Sequence, residues 1–312
     1  MNFARDLLRA QPPERLALVE LARDGGRREW TFAEIDRMIE GAAATLTRQG
    51  VRRGDVVMTL IGNRVEWVAT LMGCFQIGAV ALPCTEQLRA KDLRQRLAVT
   101  RPSLILADER NRSELLQAKP ECPVLWIGDA AGREALFTAV EAPEPADLGE
   151  GDPCLITFTS GTAGEPKAVV HGQRYLYGQR VQAQRWLGAQ AGDVVWCTAA
   201  SGWSKSARNV FIAPWLRGAT ALLHDARFDP HERLDLIERE QVNVLCMAPT
   251  EYRVIAKRAT LRPLPSLRGM VAAGEALNPE VLYVWRKATG LDVRDGYGQT
   301  ETGQMTAMPI GR

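Results

Sequence analysis

The sequence predicts an α/β fold with mainly parallel sheets, and three observations lead to this class. Short apolar runs alternate with helical stretches over nearly the whole chain of 312 residues. The apolar runs are almost uninterrupted, which is typical of strands that are buried on both faces of a sheet. The sequence has no repeats at the spacing of solenoid proteins, so an array of stacked units is not expected.

Eight apolar runs are candidate strands. Each is a nearly continuous apolar run of the length expected for a buried strand. Because helical stretches separate them, the strands are expected to pair in parallel. The candidate strands are residues 55–62, 79–84, 103–108, 124–129, 193–200, 219–224, 242–249 and 269–274.

Three of the helices between these strands have clear start signals. Thr31 and Glu34 form a capping-box pair, and the helix that they begin is expected to end at Gly50. The other two helices each begin with a capping residue that is followed by proline, at Asp229 and at Asn278. These signals support the alternation of helices and strands that the α/β class requires.

Proline, glycine and acidic residues dominate the stretch "EAPEPADLGEGDP", residues 141–153. This composition predicts an exposed connection rather than a strand or a helix. It leads directly into residues 154–172, which have the most unusual composition in the chain.

The bulk composition fits a globular protein with a sizeable core, because 46% of the residues are hydrophobic and 24% are charged. The formal net charge is only +2 and no basic block is interleaved with aromatic residues, so we expect no nucleic-acid partner. The six cysteines lie far apart in the sequence, which argues against a zinc ribbon, a redox pair or a set of disulfides. This usage favours a reducing compartment, and we expect a cytoplasmic location.

Neither the N-terminus nor the most apolar stretch predicts a membrane segment. Residues 1–10 mix charges with apolar side chains and lack the core of a signal peptide. Residues 67–85 are uncharged and nearly long enough to span a bilayer, but glycine, glutamine and proline interrupt them. We therefore expect a buried helix followed by a core strand there, and no membrane span.

The stretch "CLITFTSGTAGEPKAVVHG", residues 154–172, runs from an apolar strand through hydroxyl and glycine residues to one lysine. Hydroxyl donors, exposed backbone N–H groups and a cation are the components of a polyphosphate cradle. An ordinary polar hairpin turn is the alternative. The candidate phosphate-binding residues are Thr159, Ser160, Gly161, Thr162, Ala163, Gly164 and Lys167.

This loop differs from that of the P-loop NTPases. In their motif a glycine adjoins the lysine, whereas Glu165 and Pro166 intervene here, and Ala168 stands where the motif has serine or threonine. The β-branched residues after Ala168 favour a strand rather than a helix. We therefore expect a strand–loop–strand arrangement that holds phosphates in a hairpin.

The same stretch resembles the phosphate-binding signature of the adenylate-forming superfamily, which includes acyl-CoA synthetases, aryl-CoA ligases, luciferases and the adenylation domains of peptide synthetases. Ala163 stands where that signature usually has serine or threonine, which removes one hydroxyl. The resemblance implies an adenylate-forming N-terminal large domain, with layered helices and mainly parallel sheets in two similar lobes. It also implies that ATP binds.

A second motif, "VAAGEAL" at residues 271–277, ends a candidate strand and resembles the adenine-binding turn of the superfamily. The resemblance implies that Gly274, Glu275 and Ala276 line one face of the base. Small residues suit that position because a flat ring requires close approach of the backbone. A plain strand-to-helix turn that leads to the Asn278 cap is the alternative, and the two interpretations are compatible.

A third motif, "DGYGQTETG" at residues 295–303, resembles the most diagnostic sequence of the superfamily. The resemblance implies that Tyr297 stacks on adenine, that Thr300 hydrogen-bonds the α-phosphate and that Glu301 ligates Mg²⁺, a hard cation that prefers oxygen. A solvated loop carboxylate is the alternative for Glu301. The nucleotide-binding residues implied by this motif are Asp295, Gly296, Tyr297, Gly298, Gln299 and Thr300.

The stretch "TAASGWSKSARNVFIAPWLRGATALLH" resembles acyl-CoA synthetases of the acetate and medium-chain type. In that branch a Gly-Trp pair, here Gly202 and Trp203, borders the acyl pocket. A position in the core is the alternative for Trp203, because large aromatic side chains are mostly buried. The partners implied are a small aliphatic carboxylic acid and coenzyme A.

The resemblance implies a reaction in two halves. A carboxylate attacks the α-phosphate of ATP to give an acyl-adenylate and pyrophosphate, and the thiol of coenzyme A then attacks the acyl group and releases AMP. Lys167 would bind the β- and γ-phosphates, while Thr300 and Glu301 with Mg²⁺ would neutralise charge at the α-phosphate. No nucleophilic side chain is required, in agreement with the lack of a triad motif.

The resemblance covers essentially all of residues 1–312 but little more than half of a typical superfamily member. Members continue with a ribose-binding aspartate, a hinge and a C-terminal lid domain with a lysine that completes adenylation. We therefore expect an incomplete N-terminal domain with negligible thioester-forming activity. A non-catalytic nucleotide-binding protein is one alternative, and an aryl-CoA ligase or adenylation domain is another.

Overall fold

The structure is a computed structural model that describes residues 1–128, 130–138, 141–159 and 165–310. The chain divides into two compact units whose segments alternate along the sequence. The first unit comprises Met1–Arg15, Trp30–Tyr177 and Ala200–Ala207. The second comprises Leu16–Glu29, Gly178–Ala199 and Arg208–Arg312.

Each unit contains one sheet, and most of the helices lie between consecutive strands. The strands are Leu16–Leu21 (β1), Arg27–Thr31 (β2), Val56–Leu60 (β3), Val80–Cys84 (β4), Leu104–Asp108 (β5), Val124–Ile127 (β6), Pro153–Phe158 (β7), Ala168–Gly172 (β8), Val194–Cys197 (β9), Thr220–His224 (β10), Val244–Met247 (β11), Gly269–Ala273 (β12), Val293–Gln299 (β13) and Gly303–Ala307 (β14). The α-helices are Phe3–Arg9 (α1), Phe32–Arg48 (α2), Val65–Ile77 (α3), Ala90–Thr100 (α4), Arg112–Ala118 (α5), Ala130–Phe137 (α6), Gln173–Gln182 (α7), Ala213–Trp215 (α8), Pro230–Arg239 (α9), Pro249–Arg258 (α10) and Pro279–Thr289 (α11). A 3₁₀ turn covers Glu109–Asn111, and π-helical turns cover Ala183–Leu187 and Arg208–Ile212.

All eight candidate strands are present as β3–β6 and β9–β12, so the prediction of an α/β fold with mainly parallel sheets is confirmed. The strands are shorter than the apolar runs. The run 242–249, for example, forms a strand only over Val244–Met247, because Pro249 is already the first residue of α10.

The sheet of the first unit has the strand order β6-β5-β3-β4-β7-β8. Neighbours from β6 to β7 are parallel, and only β8 is antiparallel to its neighbour β7. One face of this sheet packs on α4 and α5 through a cluster that includes Leu60, Leu82, Leu93 and Leu115. Because β3, β4, β5 and β7 are parallel, their carboxyl ends lie at the same edge of the sheet.

The apolar stretch 67–85 forms a buried helix and a core strand, as predicted. All the residues of α3 are buried, and so are all those of β4. Over the residues that the structure describes, no helix combines the length and the hydropathy needed to cross a bilayer.

The sheet of the second unit has the strand order β14-β13-β12-β11-β9-β10-β1-β2. Strands β13, β12, β11, β9, β10 and β1 are parallel to one another, and β14 is antiparallel to β13. The chain passes from β9 to β10 and then crosses back to β11 on the other side of β9. The strand order therefore reverses between β9 and β11, which is where ligands bind in open α/β sheets.

The predicted helix starts are also confirmed. The Thr31 hydroxyl accepts a hydrogen bond from Glu34 N–H at 3.3 Å, and a Glu34 oxygen accepts one from Thr31 N–H at 2.7 Å. Asp229 and Asn278 each accept hydrogen bonds from the first turn of the helix that follows, α9 and α11. Each cap satisfies N–H groups that lack a partner within the helix.

The stretch 141–153 lies within the first unit and is mostly exposed. Ala146 N–H donates to the Gln76 carbonyl at 2.9 Å, and Leu148 N–H donates to the Met1 carbonyl at 2.9 Å. The side chain of Leu148 is buried. This segment thus leads the chain along the surface of the unit to β7.

Candidate functional site

The residues at both ends of the predicted phosphate loop are hydrogen-bonded to each other. Strands β7 and β8 are antiparallel, and Phe158 pairs with Ala168. Beyond that pair, Thr159 N–H donates to the Lys167 carbonyl at 2.9 Å, and Lys167 N–H donates to the Thr159 hydroxyl at 3.1 Å. The expected strand–loop–strand arrangement is therefore present, because strand β8, and not a helix, begins directly after the lysine.

The middle of this loop carries five of the predicted phosphate-binding residues, Ser160, Gly161, Thr162, Ala163 and Gly164, and all of them lie outside the described residues. The side chain of Lys167 is exposed. Its ammonium group has no hydrogen-bond or ion-pair partner within the part of the chain that the structure describes. A lysine in this condition is available to bind a phosphate as a point charge.

In the second unit, the turn after β12 lies beside the start of the third motif. Ala273 pairs with Gly296 in the parallel ladder of β12 and β13. Gly274, the first residue after β12, therefore lies beside Tyr297, which continues β13 in its pairing with β14. Gly274 has φ +114°, a conformation that favours glycine. The Tyr297 side chain is 58% exposed. The register thus brings the second and third motifs together.

Glu275 is held by the N-terminus of α10. Thr250 donates to one Glu275 carboxylate oxygen through its N–H, at 3.1 Å, and through its hydroxyl, while Arg253 pairs with the other oxygen at 2.7 Å. These hydrogen bonds from Thr250 and Arg253 lower the pKa of the Glu275 carboxyl. Its side chain therefore anchors the turn, while Gly274 and the Ala276 backbone remain exposed at the edge.

Close packing explains why glycine occurs on both sides of Tyr297. A Cβ at Gly298 would overlap the backbone of Gly303 on β14, and a Cβ at Gly296 would overlap the Gln304 amide and lie 2.8 Å from Trp186 Nε1. Tyr297 is therefore flanked on β13 by two positions without a side chain. Its ring is largely exposed, as stacking on a flat base requires.

The turn between β13 and β14 contains Thr300, Glu301 and Thr302. The Thr302 hydroxyl accepts a hydrogen bond from Gln299 N–H at 3.2 Å and closes the turn, a role that the sequence analysis missed. At the other end of the hairpin, Asp295 accepts a hydrogen bond from Gly296 N–H at 2.9 Å. Asp295 is thus bonded to the adjacent backbone in this structure.

Among the described residues, no group of three or more His, Cys, Asp or Glu side chains is placed to hold a metal ion. Mg²⁺ bound through substrate phosphates needs only one or two protein carboxylates. Glu301 is exposed in its turn, so its oxygens are accessible to such an ion. The donor set present therefore fits a magnesium that arrives with a polyphosphate.

The Gly-Trp pair lies in the first unit, on the carboxyl ends of β3 and β4. Ser201 N–H donates to Asn63 Oδ1 at 2.8 Å, and the Ser201 hydroxyl donates to the Ile61 carbonyl. Gly202 has φ +89°, and a Cβ there would overlap the backbone of Cys84 and Thr85. This contact requires glycine.

Trp203, the next residue, is 51% exposed. All eight tryptophans lie in the described part of the chain, and Trp203 is the exposed one among them. The alternative that Trp203 belongs to the core is therefore wrong. Its ring is available to contact a ligand.

The reversal point of the second sheet carries a buried ion pair that the motifs did not reveal. Thr198, directly after β9, donates from its hydroxyl to Glu251 of α10, and Arg233 of α9 pairs with Glu251 at 3.0 Å. The Arg233 guanidinium also stacks on the Trp196 ring, with its carbon 4.5 Å from the ring centroid. These contacts fix the end of β9 to the start of α10, beside Thr250 and Glu275.

Comparison with known proteins agrees with these observations. Residues 6–312 match the profile of the family described as AMP-binding enzyme. The chain is 34% identical over 328 residues to the mitochondrial acyl-coenzyme A synthetase ACSM4 of Mus musculus, and this match covers 98% of the chain and 57% of that relative. It is 33% identical over 298 residues to the uncharacterized acyl-CoA ligase YtcI of Bacillus subtilis, covering 93% of the chain and 56% of the relative.

Solved structures show the same fold. The acyl-CoA synthetase of Brucella canis has a TM-score of 0.91 at 30% identity, covering 100% of this chain and 59% of its own. The anthranilate CoA ligase AuaEII, in complex with anthranoyl-AMP, has a TM-score of 0.88 at 24% identity, covering 100% of this chain and 62% of its own. The chain spans less than two thirds of the length of these relatives, and its fold is that of the large domain of adenylate-forming enzymes. By profile, by identity and by fold, the chain belongs to the AMP-binding enzyme family.

Proposed function

We propose that this chain supplies the nucleotide- and acyl-binding part of an ATP-dependent acyl-CoA synthetase. The observation that carries the proposal is the edge at the carboxyl ends of β12 and β13. There Gly274 follows β12 beside Tyr297 of β13, and Tyr297 is flanked by two glycines that close packing requires. A bare glycine turn beside an accessible tyrosine ring suits a flat base such as adenine. Ligand binding at the carboxyl edge of an α/β sheet supports the same assignment.

For adenylation, the motif residues would stabilise the charge of the phosphates. Lys167 would bind the β- and γ-phosphates of ATP. Thr300 would donate a hydrogen bond to the α-phosphate, and Glu301 would hold Mg²⁺, which supplies neutralising charge at the phosphates. A substrate carboxylate then attacks the α-phosphorus, so positioning and charge provide most of the catalysis.

Thioester formation would follow by attack of the coenzyme A thiol on the acyl-adenylate, with release of AMP. The cysteines of the chain support a mechanism without a covalent enzyme intermediate. Burial raises the pKa of the Cys84 thiol to about 12 and also raises the pKa values of Cys74 and Cys154. Thiols with such pKa values are poor nucleophiles near neutral pH. The cysteines lie far apart in the sequence, and on that ground we propose a reducing location such as the cytoplasm.

The acid would be bound beside Trp203. Its exposed ring, fixed by the contact of Gly202 with the end of β4, offers an apolar wall that suits an aliphatic chain. The 34% identity to a protein named acyl-coenzyme A synthetase supports an acyl substrate. An aryl-CoA ligase is the second candidate, because the fold is shared with an anthranilate CoA ligase.

Hydrolysis-resistant acyl-sulfamoyl adenosines with acetyl, octanoyl and benzoyl groups test the proposal. We expect the octanoyl compound to bind the chain about tenfold or more tighter than the acetyl compound, because each buried methylene contributes about 0.8 kcal/mol. Trp203→Ala should reduce this ratio without changing the affinity for adenosine sulfamate. Calorimetry gives all the affinities.

Two results of this titration would change the assignment. Tightest binding of the benzoyl compound would favour the aryl-CoA ligase. Equal affinity for the three acyl compounds and for adenosine sulfamate would contradict an acyl site altogether. Trp203→Phe serves as the matched control, since it retains an aromatic wall.

A further inference from the structure

Helix α4 contacts both arms of the phosphate loop through two consecutive residues. On the arm that follows the glycines, Gln95 Nε2 donates to a Glu165 carboxylate oxygen at 3.2 Å and to the Pro166 carbonyl at 3.5 Å. On the arm that precedes them, the Arg96 guanidinium carbon lies 4.7 Å from the centroid of the Phe158 ring. The loop therefore begins and ends against the same turn of one helix.

The positive charge of Arg96 is not compensated locally. One guanidinium nitrogen donates to the Asp92 carbonyl at 3.1 Å, within α4 itself. Within the described ranges of the chain, Arg96 has no carboxylate partner. Its side chain is half-buried, and stacking on Phe158 restrains its orientation. A preorganised guanidinium without a counter-ion is suited to an anion, and its planar fork matches phosphate oxygens.

The surrounding contacts also remove an obstacle to anion binding. Glu165 is the acidic residue of the loop and would repel a polyphosphate. Gln95 holds the Glu165 carboxylate against α4. Lys167 lies where the loop ends, and Arg96 stacks on Phe158, just before the loop begins. Each is without an ion-pair partner among the residues described.

We propose that Arg96 is a second cationic ligand, beside Lys167, for the terminal phosphates of ATP and for the pyrophosphate that leaves. This inference rests on the proposed function and extends it to a residue outside the three motifs. In the adenylation step, a bond forms between the carboxylate oxygen and the α-phosphorus. The bond from that phosphorus to the bridging oxygen breaks, and its electron pair remains on pyrophosphate. Arg96 stabilises the charge that accumulates there.

Binding of ATP, inorganic pyrophosphate and AMP, each with Mg²⁺, separates this role from a structural one. We expect Arg96→Gln to weaken the binding of ATP and of pyrophosphate by about tenfold, the effect of losing one charge-assisted hydrogen bond. Affinity for AMP should stay within about twofold of the wild type, because AMP lacks the terminal phosphates. Arg96→Lys, which keeps the charge but not the fork, should recover part of the loss.

Arg94→Gln is the matched control, since Arg94 lies on the same helix, is exposed and donates to the Gln117 carbonyl away from the loop. It removes the same charge and should leave all three affinities unchanged. Thermal unfolding of each variant checks that α4 remains folded.

Three results would overturn the inference. Equal weakening of ATP and AMP in Arg96→Gln would show that the residue only supports the fold of the loop. If Arg96→Gln binds ATP with wild-type affinity and Lys167→Ala binds ATP weakly, then Arg96 is not a ligand of the phosphates. The proposed function would remain intact in that case. Absence of binding of both ATP and AMP by the wild-type chain would overturn the proposed function and this inference together.

Discussion

Replacing Glu251 by alanine is expected to lower the free energy of unfolding by about 3–5 kcal/mol, the usual effect of removing one partner of a buried ion pair. Its partner Arg233 has a side chain that is only 6% exposed, and burial already lowers the pKa of that guanidinium. Without Glu251, the cation remains buried and loses the carboxylate that opposes this cost. The hydroxyl of Thr198 loses its acceptor as well.

Urea unfolding followed by tryptophan fluorescence measures this effect. Glu251→Gln is the milder variant, since it keeps an acceptor for Thr198 but removes the charge. The double variant Glu251→Leu with Arg233→Met should recover at least half of the lost stability, because apolar replacement of a buried ion pair is often neutral. A loss of less than about 1 kcal/mol in Glu251→Ala would show that this ion pair does not stabilise the unit.

Gly202→Ala is expected to have the second-largest effect. The added methyl group would overlap the backbone of Cys84 and Thr85, which is not free to move because β4 is buried. Overpacking of this kind costs about 1–3 kcal/mol. The left-handed conformation at φ +89° adds about 1 kcal/mol for a residue with a side chain. The same displacement should shift Trp203 and weaken binding of the octanoyl compound.

Gly54→Ala provides the control for the backbone contribution. Gly54 lies in the same unit with φ +85°, but no atom lies within 4 Å of the position of its added Cβ. It should therefore lose only about 1 kcal/mol in urea unfolding and leave acyl binding unchanged. Equal loss of stability in the two variants would contradict the close contact between Gly202 and the end of β4.

Much of the fold could be predicted because its signals are local. The parallel strands are nearly continuous apolar runs, and the caps at Thr31, Asp229 and Asn278 depend on residues within one turn of the helix start. Strand β1, "LALVEL", was missed, and Glu20, which is buried in the structure, interrupts its apolar run. Its pairing with β10, about 200 residues later, is a long-range contact that the sequence does not reveal.

The candidate site was predictable where chemistry requires particular residues close together in the sequence. The motifs around Lys167, Gly274 and Tyr297 could therefore be found. The contacts that orient them could not, because they join distant segments: Glu275 to Arg253, Ser201 to Asn63, and Phe158 to Arg96. A charged side chain gives no indication in the sequence of which partner it will meet.

The measurement that tests the central claim most directly is a calorimetric titration of the chain with Mg·ATP and with AMP, repeated for Lys167→Ala and Tyr297→Ala. Loss of the lysine should weaken ATP binding by about tenfold or more and leave AMP nearly unchanged, since only ATP reaches the loop with its terminal phosphates. Loss of the tyrosine should weaken both nucleotides by about tenfold, because stacking on a base is worth about 1–3 kcal/mol. Wild-type affinity for both nucleotides in both variants would contradict the assignment of these motifs to the nucleotide.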